Sequence, residues 1–246
     1  MSIGGEVTIF LPDFHLRPYT REVCTDVLVK AISRIINRHS SCESTPKVVF
    51  LGDLGENLLD KDPKYLVESK FGTELGRLLS NLTAILVRGN HEPDFLSRDI
   101  KNLGFSAFVD CLKISSGGKS FLVEHGHLIL EKVKVGEDGE GKFAHFFDKV
   151  DNILCALLSE KMMSYMHRLA FNVVFPILGK RFHLGAKWNQ IIVEEVQDSE
   201  YTHICGHTHF KHDSDGNYVN PGAYNRNIIK YVVLCNGLIY HLEENL

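Results

Sequence analysis

The chain has 246 residues, 44% of them hydrophobic and 24% charged, and a formal net charge of -4. That size fits one large α/β unit or one unit carrying an insertion, and the near-balance of charge excludes a global attraction to nucleic acid or to an anionic membrane. Six widely spaced cysteines with no C-x-x-C pair exclude a disulfide framework and predict reduced thiols in a cytosolic protein.

The first apolar run, Val7–Leu11, follows Glu6 and stops at Asp13, which predicts a short strand and no secretion signal. A helix is predicted from about Arg21 to Asn37, where Val23, Val27, Leu28, Ala31, Ile32, Ile35 and Ile36 share one face and Thr20 caps the start. Strands at Val48–Leu51 and Ala84–Val87 alternate with amphipathic segments over about Lys64–Leu79 and Asp94–Leu103, the second closed by Gly104. This alternation is that of β-α-β units and predicts a layered α/β fold. After Cys111 the pattern turns to hairpins: Leu112–Ser115 and Ser120–Glu124 flank Gly117-Gly118, and Ile228–Cys235 and Leu238–Leu242 flank Asn236-Gly237. Between them the polar loop Gly136–Lys142 introduces a helical stretch from about Phe143 to Val196. It reads as an insertion, so that residues 1–142 and 197–246 form the core and 143–196 a cap. The longest apolar run, Leu169–Leu178, is broken by Asn172 and Pro176 and is shorter than the roughly 20 residues of a membrane span.

Five short constellations follow predicted strands: Asp13-Phe14-His15, Gly52-Asp53, Gly89-Asn90-His91-Glu92, His125-Gly126-His127 and Gly206-His207-Thr208-His209. Each alone has an ordinary reading as a turn, a cap or a solvated pair. Residues beyond the carboxyl ends of strands in α/β sheets converge on one edge, however, and five such clusters built from Asp, Asn and His together predict a metal site. Carboxylate, amide oxygen and imidazole suit Mn²⁺, Fe²⁺, Ni²⁺, Co²⁺ or Zn²⁺, and no cysteine is needed as a ligand. Gly118-Lys119-Ser120 resembles the end of a phosphate-binding loop, but Lys113 stands where that loop needs a glycine, so it reads as a hairpin turn.

These motifs resemble the signature of the calcineurin-like metallophosphoesterases: D-x-H, G-D, G-N-H-D/E, a histidine before glycine, and G-H-x-H. The resemblance implies a layered β-sandwich core flanked by helices and two divalent ions, with Mn²⁺ expected. By it, Asp13, His15, Asp53 and His209 would hold one ion and Asp53, Asn90, His125 and His207 the other, the Asp53 carboxylate bridging. A metal-bridging hydroxide would then attack phosphorus. His91 would serve the leaving oxygen, Glu92 would orient His91, and Arg88 would clamp a phosphate oxygen. His127 is left outside the ligand set, and Asn220-Pro221-Gly222 resembles the closing loop near the metals.

Within the superfamily, Arg88 to Glu92 is shared with the protein Ser/Thr phosphatases, but the arginine of their second motif is absent from Gly52–Leu58. The Mre11-like nucleases would show a histidine soon after Gly-Asp and a more basic surface. The chain is more similar to the UDP-2,3-diacylglucosamine pyrophosphatase-like branch, in Asp13–Leu16, in Gly52–Glu56 and in the place of its insertion, and departs from it at His91 and His127. A non-catalytic scaffold of this fold would have lost ligands, whereas all seven positions are filled. The insertion carries more apolar residues than two helices bury internally. It is therefore read as a surface that docks on the core, forms a homodimer interface, or caps the metals and accepts acyl chains, with Arg168, Lys180 and Arg181 meeting a pyrophosphate or headgroup. The substrate expected is a phosphorylated small molecule or a lipid-linked nucleoside diphosphate, with a general phosphodiesterase or a phosphomonoesterase on soluble substrates as the alternative. No nucleic-acid partner is expected, and the protein is expected in the cytoplasm, with peripheral membrane contact through the insertion.

Overall fold

Successive residues of Val7–Leu11 (β1), Lys47–Phe50 (β2) and Ala84–Val87 (β3) turn to opposite faces of one sheet, and both faces are buried. The structure is a computed structural model that describes residues 6–18, 21–41, 44–56, 62–92, 95–132, 184–213, 217–224 and 227–246. Ile9, Leu11, Val48, Phe50, Ala84 and Leu86 pack against a helical layer, while Phe10, Val49, Ile85 and Val87 face a second sheet. Burial on both sides is why these strands read as unbroken apolar runs instead of alternating ones.

The first sheet also contains Ala107–Val109 (β4), Ile228–Cys235 (β10) and Leu238–Asn245 (β11), in the order β11-β10-β1-β2-β3-β4. β1 to β4 are parallel, β10 adds antiparallel to β1, and β11 adds antiparallel to β10. The second sheet comprises Cys111–Ser116 (β5), Lys119–Glu124 (β6), Thr202–Cys205 (β7), His212–Asp213 (β8) and Tyr218–Asn220 (β9), in the order β5-β6-β7-β9-β8. Phe121, Val123, Ile204 and Val219 meet the first sheet across the apolar interior.

Arg21–Cys24 (α1), Val27–His39 (α2), Lys64–Val67 (α3), Lys70–Leu79 (α4) and Ser97–Asn102 (α5) belong to the first sheet's side of the molecule, where Leu28, Ile32, Ile35, Phe71 and Leu75 fill the outer layer. His127–Lys132 (α6) and Leu184–Val196 (α7) pack on the second sheet through Ile129, Leu130, Ile192 and Val196, which meet Cys205 and Tyr218. The result is a four-layered sandwich, helices on two packed sheets on helices, in agreement with the expected fold class.

Two predicted helices are each broken. The Thr25 hydroxyl donates to the Arg21 carbonyl and the Asp26 carbonyl accepts the Lys30 N–H, so a new helix starts at Val27 although the apolar stripe runs through. Ser69 Oγ accepts the Gly72 N–H at 3.0 Å and restarts the second helix as α4, the serine outcompeting continuation as an N-cap. Thr20 and Asp94, expected near helix starts, lie outside the described residues. The Asn236-Gly237 turn forms with both residues at positive φ, as a two-residue hairpin turn requires. Of the expected cap, only α7 is described, and among the described residues no helix is long and apolar enough to cross a membrane.

Candidate metal centre

Asp13 and His15 follow β1, Asp53 follows β2, Asn90 and His91 follow β3, His125 follows β6, and His207 and His209 follow β7. Main-chain bonds gather the first two loops: the Phe14 and His15 N–H groups both donate to the Asp53 carbonyl, at 3.1 and 2.8 Å, and Leu16 N–H donates to the Leu54 carbonyl. Buried backbone donors then aim the carboxylates. Asp53 Oδ1 accepts the His91 N–H at 2.8 Å, and Asp13 Oδ2 accepts the His207 N–H at 2.6 Å. The glycines of two motifs are explained by this approach, since a Cβ at Gly89 would collide with Asp53 Oδ1 and one at Gly206 with Asp13 Oδ1.

The side chains converge in two adjoining groups. In one, His209 Nε2 lies 2.9 Å from His15 Nε2 and 3.4 Å from Asp13 Oδ2, with Asp53 Oδ2 3.5 Å from His15 Nε2. In the other, His125 Nε2 lies 3.1 Å from both Asp53 Oδ2 and Asn90 Oδ1, and His207 offers a ligand nitrogen within 4.8 Å of those of Asp53 and His125. Asp53 Oδ2 is common to both. All seven residues expected as ligands are therefore brought together.

Three observations show that this arrangement fits divalent cations. The Leu51 carbonyl can only accept, so His125 Nδ1, 2.7 Å away, carries the proton and leaves the Nε2 lone pair facing two oxygen acceptors. Acceptors so placed need a proton or a cation between them. Asp13, Asp53 and His125 are each only 1% exposed, and Asp13 Oδ1 is buried without a hydrogen-bond partner. Finally, His15, Asp53, His207 and His209 all adopt positive φ, between 46° and 64°. That conformation costs a side-chain-bearing residue roughly 1–2 kcal/mol, and persists where the surroundings over-determine it. Among the described non-glycine residues only Asn236, in its hairpin turn, joins them.

Without cations, a proton on His125 would stand between these acceptors. Burial opposes charge on His125, but Asp53 and Asp13 outweigh it and push the imidazole up to about 9. Burial lifts Asp13 to about 6, with His125 pulling the other way. His209 falls to about 3, through burial and then the neighbouring His15.

Two expected roles are corrected. The carboxylate at hydrogen-bond distance from His91 is Glu56, whose Oε1 lies 2.9 Å from His91 Nδ1 and whose Oε2 lies 3.2 Å from His15 Nδ1. Glu92 instead accepts the Leu54 N–H at 2.6 Å, bracing the Asp53 loop from beneath, and burial followed by the charge of Asp53 raises its carboxyl well above the usual range. Arg88 stacks over Phe108 at 4.4 Å and bonds Asp110 at 2.9 Å on the exposed flank of β3 and β4. Among the described residues, Arg17, 11% exposed, has a guanidinium nitrogen 3.7 Å from Glu56 Oε2. His127 opens α6 with its ring 5.3 Å from His125, beside the second group. Pro221 and Gly222 follow β9, where Asn220 Oδ1 accepts the Gly222 N–H at 2.7 Å, and Tyr224 N–H reaches the Asp13 carbonyl. Arg168, Lys180 and Arg181 lie outside the described residues.

A search of curated proteins finds no match. Among solved structures, a conserved uncharacterized protein, a predicted phosphoesterase from Streptococcus pneumoniae TIGR4, is 15% identical over 98% of this chain and 99% of its own, with a TM-score of 0.35. A novel archaeal phosphodiesterase is 13% identical over 96% and 99%, with a TM-score of 0.43, and a protein of unknown function from Aquifex aeolicus is 15% identical over 89% of each chain, with a TM-score of 0.39. The family model of the calcineurin-like phosphoesterases matches residues 8–211, across all five constellations, and the chain belongs to that family.

Proposed function

We propose that this protein hydrolyses phosphoester bonds at a centre that binds two divalent cations, Mn²⁺ being the first to test. The observation that carries this reading is the Asp53 carboxylate, buried at the join of two ligand groups and offering the same oxygen to both. Asp13, His15, Asp53 and His209 would hold one ion, and Asp53, Asn90, His125 and His207 the other. Bound there, two cations would supply Lewis acidity toward the phosphate oxygens and an activated water.

The chain's own residues account for the remaining steps. His91 is the proton donor to the leaving oxygen. Burial disfavours its charged form, but the hydrogen bond and charge of Glu56 overcome that and push it up to about 9, so the imidazole carries a proton at neutral pH. Glu56 accepts from Nδ1, which leaves Nε2 as the ring nitrogen for the substrate. Arg17 supplies positive charge beside this pair and faces the added negative charge of a phosphate.

A second reading narrows the substrate to one with an apolar portion, as in a lipid-linked nucleoside diphosphate. Its support is that Leu128 and Phe210, next in sequence to His127 and His209, are 43% and 42% exposed, and that residues 143–196 are rich in apolar side chains. The test of the main reading is metal content together with turnover of bis-p-nitrophenyl phosphate and p-nitrophenyl phosphate with added Mn²⁺. We expect two transition ions per chain and hydrolysis of at least one ester; absence of both would leave a non-catalytic scaffold. Comparing a phosphodiester with and without an acyl chain then decides the second reading.

A further inference from the structure

The loop that carries His207 and His209 is held by α7. Asn189 of α7 is 3% exposed. Its Oδ1 accepts the Thr208 hydroxyl at 2.7 Å and the Tyr218 hydroxyl at 2.9 Å, and its Nδ2 donates to the Phe210 carbonyl at 3.0 Å. Thr208 separates the two ligands and Phe210 directly follows the second, so one amide grips the main chain and side chain on either side of His209. From the opposite side Asn220 Nδ2 reaches the Gly206 carbonyl at 2.6 Å and the hydroxyls of Thr208 and Tyr218 at 3.0 Å. The residue before Asn189, Trp188, lies parallel to the His207 ring with centroids 6.5 Å apart and planes at 14°.

This network meets a specific need. His207 and His209 stand at φ 64° and 60°, a conformation that backbone preference alone would relax. Within the loop itself the Thr208 N–H bonds back to the Gly206 carbonyl; Asp13 Oδ2 accepts the His207 N–H, and the hydroxyl of Thr208 is held from β9 and α7. Buried and satisfied, such a network fixes one arrangement, while loss of one member leaves its partners unsatisfied in low dielectric. Asn220 lies in the strand beside β7. Asn189 arrives from a helix before β7, and so its grip on the loop depends on where that helix sits.

We propose that Asn189 is a positioning residue for the metal centre, and that it ties the affinity for metal to the seating of α7. Because coupling is reciprocal, cation binding at His207 and His209 strengthens the docking of α7, and anything that displaces α7 weakens cation binding. The inference rests on the metal-centre reading of the site.

The test is Mn²⁺ titration of the full chain by calorimetry, for the wild type and for Asn189→Leu, with Glu244→Gln as a control that weakens the fold far from the loop. Asn189→Leu should lose about 10–100-fold in Mn²⁺ affinity, the range for residues that orient metal ligands. The rise in Tm on adding Mn²⁺ should shrink with it, and Glu244→Gln should bind as the wild type does. A merely structural asparagine would lower the Tm of metal-free and loaded protein alike and leave affinity unchanged, and that result overturns the proposal. An equal affinity loss in Glu244→Gln does the same. Should Asn189→Leu fail to fold, hydrogen exchange on the wild type decides: amides of 184–196 should gain protection when Mn²⁺ is added, and unchanged protection overturns the link. A wild type that binds no Mn²⁺ removes the metal-centre reading itself, whereas normal Mn²⁺ binding by folded Asn189→Leu removes only the role of Asn189.

Discussion

Glu56 Oε1 stands 2.9 Å from His91 Nδ1, while the other oxygen of the same carboxylate stands 3.2 Å from His15 Nδ1, so one buried acid orients both the proposed proton donor and a proposed metal ligand. At 1% exposure the carboxylate has little water to satisfy it, and its two imidazole partners hold it well below the usual carboxylate range against the opposing effect of burial. An ionised Glu56 in turn keeps His91 protonated.

His91→Ala should lower kcat by roughly 10²–10⁴ on substrates with poor leaving groups, and affect nitrophenyl esters less, because nitrophenolate leaves without a proton. Mn²⁺ binding should be retained. Glu56→Gln should move the alkaline limb of the pH–rate profile to lower pH than in the wild type. His91 must be protonated to act, and removing the anion that raises its pKa makes it lose that proton earlier as pH rises. A variant profile that coincides with the wild type, measured on an alkyl phosphodiester, would mean that His91 does not donate the proton.

Metal affinity should rise with pH. In the ion-free centre His125 is raised to about 9 and Asp13 to about 6, so at neutral pH the imidazole holds a proton that a cation must displace. Mn²⁺ binding at pH 7 should therefore release about one proton per chain, and the apparent affinity should fall by about tenfold per pH unit below 9 for each proton displaced. Calorimetric titrations in buffers of different ionisation enthalpy measure that release directly. An affinity that does not change between pH 6 and 9 would show that His125 is not a ligand.

The convergence of the seven residues was legible because each motif is a polar cluster that ends an apolar run, and parallel strands deliver such ends to one edge. The layered fold was legible for the same reason, through β1 to β3. Partnerships were not. Glu56 stands three residues after Asp53 and marked a branch of the superfamily, but nothing in the spacing shows that its carboxylate points at His91 and not at solvent. Glu92, one residue from His91, was the nearer choice in sequence. Neighbours along an extended loop point to different sides, and Glu92 turns inward to the Leu54 N–H. Arg88 sits at a strand end like the converging residues, yet Phe108 on the adjacent strand and Asp110 just after it offer stacking and a counter-charge on the outer flank. Asn189 had no signal at all, being one of several polar residues in its helix, with partners 19 to 29 residues away. The breaks at Thr25 and Ser69 were hidden because the apolar period continues across them, and short hydroxyl side chains decide the boundary.

The last prediction concerns the fold away from the centre. Glu244 of β11 is 7% exposed and is gripped by two arginines of α2: Arg34 Nε lies 2.7 Å from Oε1, and Arg38 Nη2 lies 2.6 Å from Oε2. Arg34 also donates to the Asn245 carbonyl, and Arg38 to the Tyr231 hydroxyl, so the cluster ties the helix to the antiparallel edge of the first sheet. Burial acts to raise the carboxyl, but the hydrogen bonds of Arg34 and Arg38 outweigh it and the pKa is lowered. A group whose pKa is depressed by folding stabilises the native state above its ordinary value, near 4.5, and that contribution disappears as pH falls through the lower folded value. Both arginines are about half exposed, so water screens the pair and the expected contribution is only about 1 kcal/mol at pH 7. Glu244→Gln should thus shift the urea midpoint measurably at pH 7, and the gap to the wild type should close as pH drops below 4.5. If the gap is the same at pH 3.5 as at pH 7, the ion pairs contribute nothing and α2 is held to the sheet by its apolar face alone.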